Sequence, residues 1–238
     1  MATPEGFFPE FPLEWEMSNA ERFTLVGLLT RLRPEVAIEI GTHHGGSLQV
    51  LDAFCGRVHS IDCDPEVRGR LAGRFPRVHF HTGTSRDLIP QVLTEIETKE
   101  ERLGFVLIDG DHTAQGVRAD IEAVLRHRPR GVVHVLLHDS FNPDCRAGMR
   151  RARWSDCPHV QSVELDFVPG GFHATPQGGA FARSMWGGFA LAVMSSATRA
   201  VPLVVGASQE AMHRLVFGHS AHRIWHKVLR ALRRRSRR

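Results

Sequence analysis

The stretch that decides the fold is residues 36–47, an apolar run that ends in a glycine-rich turn: Val36-Ala37-Ile38-Glu39-Ile40-Gly41-Thr42-His43-His44-Gly45-Gly46-Ser47. A short apolar run of this kind is typical of a buried parallel strand. Glycines just beyond the strand allow the backbone to approach a ligand, because no Cβ atom stands in the way. The helix predicted after the turn directs its unpaired N–H groups at the same place. The stretch therefore predicts a nucleotide-cofactor loop.

The glycine spacing indicates which cofactor to expect. A dinucleotide fingerprint has a glycine two residues after the first, whereas three residues separate Gly41 from Gly45. Glu39 would repel a diphosphate but suits a cofactor that carries ammonium and sulfonium charge. The next apolar run ends at Asp62, about where an acid that binds ribose is expected. Two acids on neighbouring strand ends can hold one nucleoside.

Predicted strands and helices alternate along most of the chain. Further strands are expected over residues 78–82, 105–108 and 132–137, with a helix over 87–103 between the first two. Two later strands, 160–167 and 189–194, have no helix between them and should pair antiparallel at the sheet edge. The pattern predicts a doubly wound, Rossmann-like α/β fold: a mostly parallel seven-stranded sheet with an antiparallel edge strand and helices on both faces.

The length of 238 residues favours one main domain. We expect an N-terminal arm over residues 1–17, the main domain over 18–200, and a helical extension with a basic tail over 201–238. Residues 221–238 hold eight Lys or Arg and no acid, so the remainder carries −4 of the net +4. The high pI belongs to the tail, and nucleic-acid binding by the main domain is not expected.

Localisation and assembly are predicted from composition. The chain has no apolar run of about 18 residues, and its four cysteines form no Cys-x-x-Cys pair. We therefore expect no transmembrane segment and a cytoplasmic protein with reduced thiols. The amphipathic tail could contact an anionic membrane surface weakly, touch nucleic acid or dock on its own domain. A homo-oligomer is also compatible with the sequence.

Four strand-end motifs occur in order, namely Glu39 to Ser47, Ser60-Ile61-Asp62, Leu107-Ile108-Asp109-Gly110-Asp111-His112 and Leu137-His138-Asp139. With these motifs the chain resembles the class I S-adenosylmethionine-dependent methyltransferases. Within that class it resembles the group related to catechol and macrolide-sugar O-methyltransferases and to cephalosporin-hydroxylase-type proteins. The resemblance implies S-adenosyl-L-methionine as cofactor. It places the cofactor-binding residues at strand ends: Glu39, Gly41, His43, Ser47, Asp62, Thr84, Ser85 and Asp109.

The predicted chemistry lies at Asp109 and Asp139, on neighbouring strand ends. Converging carboxylates repel each other unless a cation joins them, so the pair predicts a divalent metal, with Mg²⁺ the first expectation. His138 could be the third ligand and would favour Mn, Fe or Zn; Asn142 could supply an oxygen instead, or the enzyme could work without metal. His112 is the candidate general base, and the adjacent helix N-terminus is expected to keep it neutral.

The function expected from the resemblance is O-methylation of a hydroxyl on a small molecule or sugar moiety. A nicotinamide oxidoreductase could use a similar sheet, although the glycine spacing argues against it. A nucleic-acid methyltransferase would usually carry a proline-rich motif after the fourth strand, where this chain has Asp109-Gly110-Asp111-His112. A non-catalytic relative that keeps the fold is the third alternative. The acceptor walls are expected from the N-terminal arm and the loop at residues 168–188.

Overall fold

Strands and helices alternate in the computed structural model, which describes residues 8–174 and 182–223. The strands are β1 Val36–Ile40, β2 Arg57–Asp62, β3 Val78–Thr82, β4 Leu103–Ile108, β5 Val133–His138, β6 Val160–Val168, β7 Gly171–His173, β8 Ser184–Trp186, β9 Phe189–Met194 and β10 Val205–Gly206. The helices are α1 Asn19–Leu32, α2 Gly46–Phe54, α3 Pro65–Leu71, α4 Ser85–Thr98, α5 Ala114–Val124, α6 Pro143–Arg151 and α7 Glu210–His219. All but the first residue of the amphipathic stretch predicted over 223–232, the rest of the basic tail and the loop portion 175–181 lie outside the described residues.

An eight-stranded sheet with the order β10-β6-β9-β5-β4-β1-β2-β3 forms the centre of the fold. β9 runs antiparallel to both β5 and β6, whereas the other neighbouring strands are parallel. The predicted doubly wound α/β fold is confirmed. Two details differ: the antiparallel strand lies inside the sheet rather than at its edge, and β10 adds an eighth strand. A strand of two residues is too short to show a period in the sequence.

Helices cover both faces of the sheet and bury two apolar clusters. On one face, α4, α5 and α6 pack over a cluster that includes Ile38, Val106 and Leu137. On the other face, α1, α2 and α3 cover a cluster that includes Ala37 and Leu107. Adjacent residues of one strand belong to opposite clusters because side chains alternate across a sheet. This three-layer packing holds the strand ends in fixed positions.

Local sequence signals set the helix ends. Ser18 and Glu21 form the predicted capping box at the start of α1, with each side chain bonded to the other's backbone. Thr113 caps α5 as expected, accepting a hydrogen bond from the N–H of Gly116. The helix expected over 87–103 is shorter, because Glu100 takes a left-handed conformation with φ +57° and ends it before β4.

Residues 8–17 lie over α1 and α2. Phe8 packs edge-on against Phe23 with ring centroids 4.6 Å apart, and Phe11 is buried. The backbone N–H of Leu13 donates to the side-chain oxygen of Gln49 at 3.0 Å. This segment therefore forms a fixed wall beside the end of β1. In the described part of the chain, each helix is too short or too polar to cross a bilayer.

Candidate active site

A cavity of about 1280 Å³ opens at the carboxyl ends of the parallel strands. Ligands of open α/β sheets bind at this edge. Residues 14–18 of the arm and residues of the β7–β8 hairpin complete its walls. Most of the predicted site residues line it, namely Gly41, His43, Ser47, Asp62, Thr84, Ser85, Asp109, His112, His138 and Asp139.

The loop after β1 requires glycine at its first position. Gly41 has φ +85°, and a Cβ atom there would lie 2.1 Å from the backbone oxygen of Asp109. Gly45 also has a left-handed backbone, with φ +83°. Glycine adopts these conformations without steric cost, whereas an alanine would not. The close contact places the cofactor loop directly beside the end of β4.

Glu39 is the predicted site residue that does not line the cavity. Its side chain is fully buried beneath the loop and accepts hydrogen bonds from Ser47 Oγ at 2.5 Å and Thr42 Oγ1 at 2.8 Å. Burial raises the pKa of Glu39 to about 8, so the carboxyl group is protonated at neutral pH. The predicted contact of Glu39 with the cofactor stays a prediction. Glu39 fixes the loop residues that face the cavity.

Asp62 joins the end of β2 to the loop. Its Oδ2 accepts from the backbone N–H groups of Thr42 at 2.8 Å and His43 at 3.0 Å, and its Oδ1 accepts from that of Asp64 at 2.8 Å. The carboxylate still lines the cavity. Each carboxylate oxygen has two lone pairs, so further acceptor capacity faces the expected ribose.

Thr84 and Ser85 begin α4 at the same edge. Ser85 Oγ donates to Asp120 Oδ1 at 2.6 Å, although Asp120 belongs to α5. Burial raises the pKa of Asp120 to about 6, and its Oδ2 has no hydrogen-bond partner among the described residues. Sequence reasoning missed Asp120. An acid three residues after Val117, on the apolar stripe of α5, was the available signal.

Two carboxylates and two imidazoles converge beyond the cofactor loop. His138 Nδ1 lies 3.0 Å from Asp109 Oδ1 and 3.8 Å from Asp139 Oδ2. His112 Nε2 lies 3.0 Å from Asp139 Oδ2 and 3.7 Å from Asp109 Oδ1. We call these four residues the carboxylate–imidazole cluster. The predicted convergence of the β4 and β5 ends is confirmed by these distances.

Glu21 is a further member of the site that sequence reasoning treated only as a helix cap. Its Oε1 lies 3.1 Å from His138 Nε2 and also accepts from the backbone N–H of Gly188. Its Oε2 accepts from the backbone N–H of Ser18 at 2.6 Å. One buried carboxylate thus ties α1, β5 and the start of β9 together. The sequence holds no local signal for this contact because 117 residues separate Glu21 from His138.

The backbone of Asp139 is left-handed, with φ +57°. This conformation costs a residue with a Cβ atom about 1–3 kcal/mol unless the surroundings hold it. Asp139 Oδ1 accepts from the N–H of Gly187 at 2.6 Å, which holds the side chain in place. Asn142 accepts from backbone N–H groups at the start of α6, so its oxygen is not a member of the cluster.

Electrostatic coupling controls the protonation of the cluster. Burial disfavours ionisation of Asp109, but positive charge on His138 lowers its pKa to about 2. Burial also opposes the charge on His138, yet Asp109 and Asp139 raise its pKa well above the usual value. Hydrogen bonds to Asp109 and Asp139 raise the pKa of His112 to about 10. These two carboxylates oppose the effect expected of the helix N-terminus, and the role of neutral His112 as general base stays a prediction.

The cluster has a donor set that fits a divalent metal. One ligand atom from each of Asp109, His138 and Asp139 lies within 4.8 Å of the others. A histidine ligand usually donates its second ring N–H to a carboxylate, which fixes the ring and its tautomer. Glu21 offers that carboxylate to His138 Nε2. A mixed set of nitrogen and oxygen ligands suits Mn, Fe or Zn better than Mg²⁺.

Comparisons with known proteins agree with this geometry. A family model described as a methyltransferase domain matches residues 38–140. The fold is similar to the O-methyltransferase from Bacillus cereus in complex with SAH, with 20% identity and a TM-score of 0.55 over 79% of this chain and 86% of that chain. It is also similar to TomG from Streptomyces achromogenes, an O-methyltransferase involved in tomaymycin synthesis, solved with SAM, with 20% identity, a TM-score of 0.54 and coverages of 79% and 86%. A comparison with curated proteins found no match.

The fold is that of solved methyltransferases, and part of the chain matches the methyltransferase-domain family model. Within the chain, residues 38–140 carry the matched domain, from β1 to the residue after Asp139. This range contains the cofactor loop, Asp62 and the carboxylate–imidazole cluster. The arm and the β7–β8 hairpin, which close the cavity, lie outside it.

Proposed function

We propose that this methyltransferase transfers the methyl group of S-adenosyl-L-methionine to a hydroxyl oxygen of a small molecule or sugar moiety, assisted by a divalent metal. The observation that carries the proposal is the carboxylate–imidazole cluster, which faces the same cavity as the cofactor loop. Two acids and two imidazoles can bind a cation and accept a proton at the same place. An oxygen acceptor needs both functions, because a neutral hydroxyl is a weak nucleophile.

The residues at the first three strand ends would hold the cofactor. Gly41 lets the backbone approach the methionine end, and Ser47 faces it from the start of α2. Asp62 accepts a ribose hydroxyl with the remaining lone pair of Oδ1, while Thr84 and Ser85 border the adenine. Bound S-adenosyl-L-methionine supplies a sulfonium methyl group, and the acidic cavity wall favours its positive charge.

Asp109, Asp139 and His138 would hold the metal, with Glu21 orienting His138. A bound divalent ion supplies positive charge that lowers the pKa of the acceptor hydroxyl and of the neighbouring His112. Neutral His112 then takes the hydroxyl proton on Nε2 as the oxygen attacks the methyl group. The oxygen–carbon bond forms as the sulfur–carbon bond breaks, which leaves a methyl ether, a neutral thioether and protonated His112. No covalent enzyme intermediate is needed.

Alignment provides most of the proposed rate gain. Holding the oxygen and the methyl group in line is worth on the order of 7–11 kcal/mol for well-oriented partners. The acceptor would lie between the arm and the β7–β8 hairpin, where Trp15, Met17 and Trp186 line the cavity. The Trp186 ring stands edge-on to His112, with centroids 5.6 Å apart. These apolar walls favour an acceptor with an aromatic or other apolar face beside its hydroxyl group.

The test combines calorimetry with a transfer assay on the full chain. We expect S-adenosyl-L-methionine to bind the wild type and both His112→Ala and Asp139→Asn with similar affinity. Methyl transfer to a panel of hydroxylated acceptors should depend on added Mn²⁺, Zn²⁺ or Mg²⁺ and be lost in both variants. His134→Gln, which changes a half-buried histidine of β5 away from the cavity, is the matched control.

Each part of the proposal has its own contrary result. Absence of binding at millimolar S-adenosyl-L-methionine would reject the cofactor assignment. Full activity in His112→Ala and Asp139→Asn would reject the site assignment. Undiminished transfer after exhaustive chelation would reject the metal requirement and leave the proposed methyl transfer in place.

A further inference from the structure

A second group of potential ligands lies on the sheet away from the cavity. His59 of β2 pairs in register with His79 of β3, and His81 follows two residues later. Residues two apart on a strand share a face, so all three histidines lie on one side of the sheet. Ile61 of the same face packs in the cluster beneath α4. None of the three histidines lines the cavity described above.

Two ring nitrogens of this group face each other. His59 Nδ1 lies 3.0 Å from His81 Nε2, and the rings stack with an interplanar angle of 16°. Glu95 reaches the pair from α4, and one ligand atom from each of the three residues lies within 4.8 Å of the others. The exposed His79 borders them, with its ring centroid 5.1 Å from that of His59.

Protein contacts alone leave this group incompletely satisfied. His59 is fully buried, and its Nε2 has no hydrogen-bond partner in the described residues. An unpaired buried polar atom of this kind costs about 1–3 kcal/mol. It is not the nitrogen that faces His81, so it is not a ligand in the arrangement proposed below.

We propose that His59, His81 and Glu95 form a zinc site that joins β2, β3 and α4. Two histidine nitrogens and one carboxylate oxygen are a ligand set that Zn²⁺ accepts, with a fourth position left for water or His79. Zinc–nitrogen bonds of about 2.0–2.1 Å at a tetrahedral angle place two nitrogens roughly 3.4 Å apart. The observed separation of 3.0 Å is close to this value, and both rings would also turn so that a lone pair of each nitrogen points at the ion.

Lys99 is the competitor for the carboxylate, because its Nζ lies 2.6 Å from Glu95 Oε1. This exposed pair contributes little stability, and the second oxygen of Glu95 can still bind an ion. The proposed site lies at one edge of the sheet. The edge strand is β3, which pairs with β2 alone in the described sheet. Zinc would fix β3 just before residues 83–85, which line the cofactor cavity.

The test counts zinc ions bound to the full chain. The wild type, His81→Gln, Glu95→Gln and the control His134→Gln are loaded with Zn²⁺, dialysed and analysed for bound metal. The carboxylate–imidazole cluster can bind zinc as well, so we expect one equivalent fewer in His81→Gln and Glu95→Gln, not zero. Anomalous scattering at the zinc edge from crystals of the wild type should place an ion between His59 and His81.

A second measurement protects the test against misfolding. Glu95 is half-buried, and its ion-pair partner among residues 8–174 and 182–223 is Lys99, so Glu95→Gln should leave the far-UV circular dichroism unchanged. Zinc should raise the Tm of the wild type and His134→Gln by more than that of Glu95→Gln. Equal zinc content in all four proteins, or the same rise in Tm, would overturn the proposal. Neither result depends on methyl transfer, so the zinc site and the proposed function can fail separately.

Discussion

Replacing Glu39 by glutamine tests whether the acid of the cofactor loop is a neutral structural group. The side chain is fully buried, and its pKa is raised to about 8 from the ordinary value of 4.5. Such a group adds stability that is complete below pH 4.5 and is lost as the pH rises through 8, because the unfolded chain ionises first. Glutamine keeps the shape of the side chain and cannot titrate.

The size of the effect follows from the two pKa values. Between pH 5 and pH 8 the wild type should lose about 3 kcal/mol of unfolding free energy through Glu39 alone, since each pH unit within this window is worth up to about 1.4 kcal/mol. Glu39→Gln should not show this loss. The absolute free energies of unfolding of the wild type and Glu39→Gln also differ, because the new amide group lies beside the hydroxyl groups of Thr42 and Ser47. An amide hydrogen left there without an acceptor costs about 1–3 kcal/mol. The pH dependence is therefore the diagnostic quantity.

Urea unfolding at pH 5, 6.5 and 8 provides the measurement, with free energies obtained by linear extrapolation. The matched control is Glu35→Gln, because Glu35 is exposed and pairs with Arg102 at 3.3 Å just before β1. We expect the control to follow the wild-type pH dependence. Parallel curves for the wild type and Glu39→Gln would refute the reasoning, since Glu39 would then be ionised in the folded protein and available as a negative charge for the cofactor.

Three further substitutions test contacts around the site and behind it. Glu21→Gln should lower the free energy of unfolding by about 1.5–3 kcal/mol, because the backbone N–H of Ser18 and the imidazole of His138 would no longer bond to a charged carboxylate. An unchanged midpoint of urea unfolding would contradict this expectation. Gly41→Ala should destabilise the fold by more than about 1 kcal/mol and weaken S-adenosyl-L-methionine binding, because Gly41 has a left-handed backbone. The control Gly27→Ala, in an open part of α1, should stabilise the fold by about 0.5–1 kcal/mol. Equal effects of the two substitutions in thermal unfolding would argue against the required left-handed turn. Arg146→Ala should cost about 3–5 kcal/mol in urea unfolding, because it leaves buried Asp166 without its partner at 2.8 Å, and a loss below about 1 kcal/mol would show that the pair is dispensable.

The topology was predictable because the chain repeats one local pattern. Parallel strands joined by right-handed crossovers bring their carboxyl ends to one edge, so motifs far apart in sequence must meet there. Asp62, Asp109 and Asp139 were placed on a common cavity by this rule alone. The antiparallel position of β9 inside the sheet was not predictable, since periodicity identifies a strand but not its neighbours.

The sequence by itself determined the fold class and the strand ends at which the chemistry gathers, because glycine spacing and apolar periodicity act over a few residues. Only the tertiary structure decided the state of each group there. It buried Glu39, which raises the pKa of its carboxyl group, and brought Glu21 from a distant helix to His138. It also set two carboxylates beside His112. Burial and distances through space fix proton affinity and hydrogen-bond partners, and neither quantity is encoded in the order of neighbouring residues.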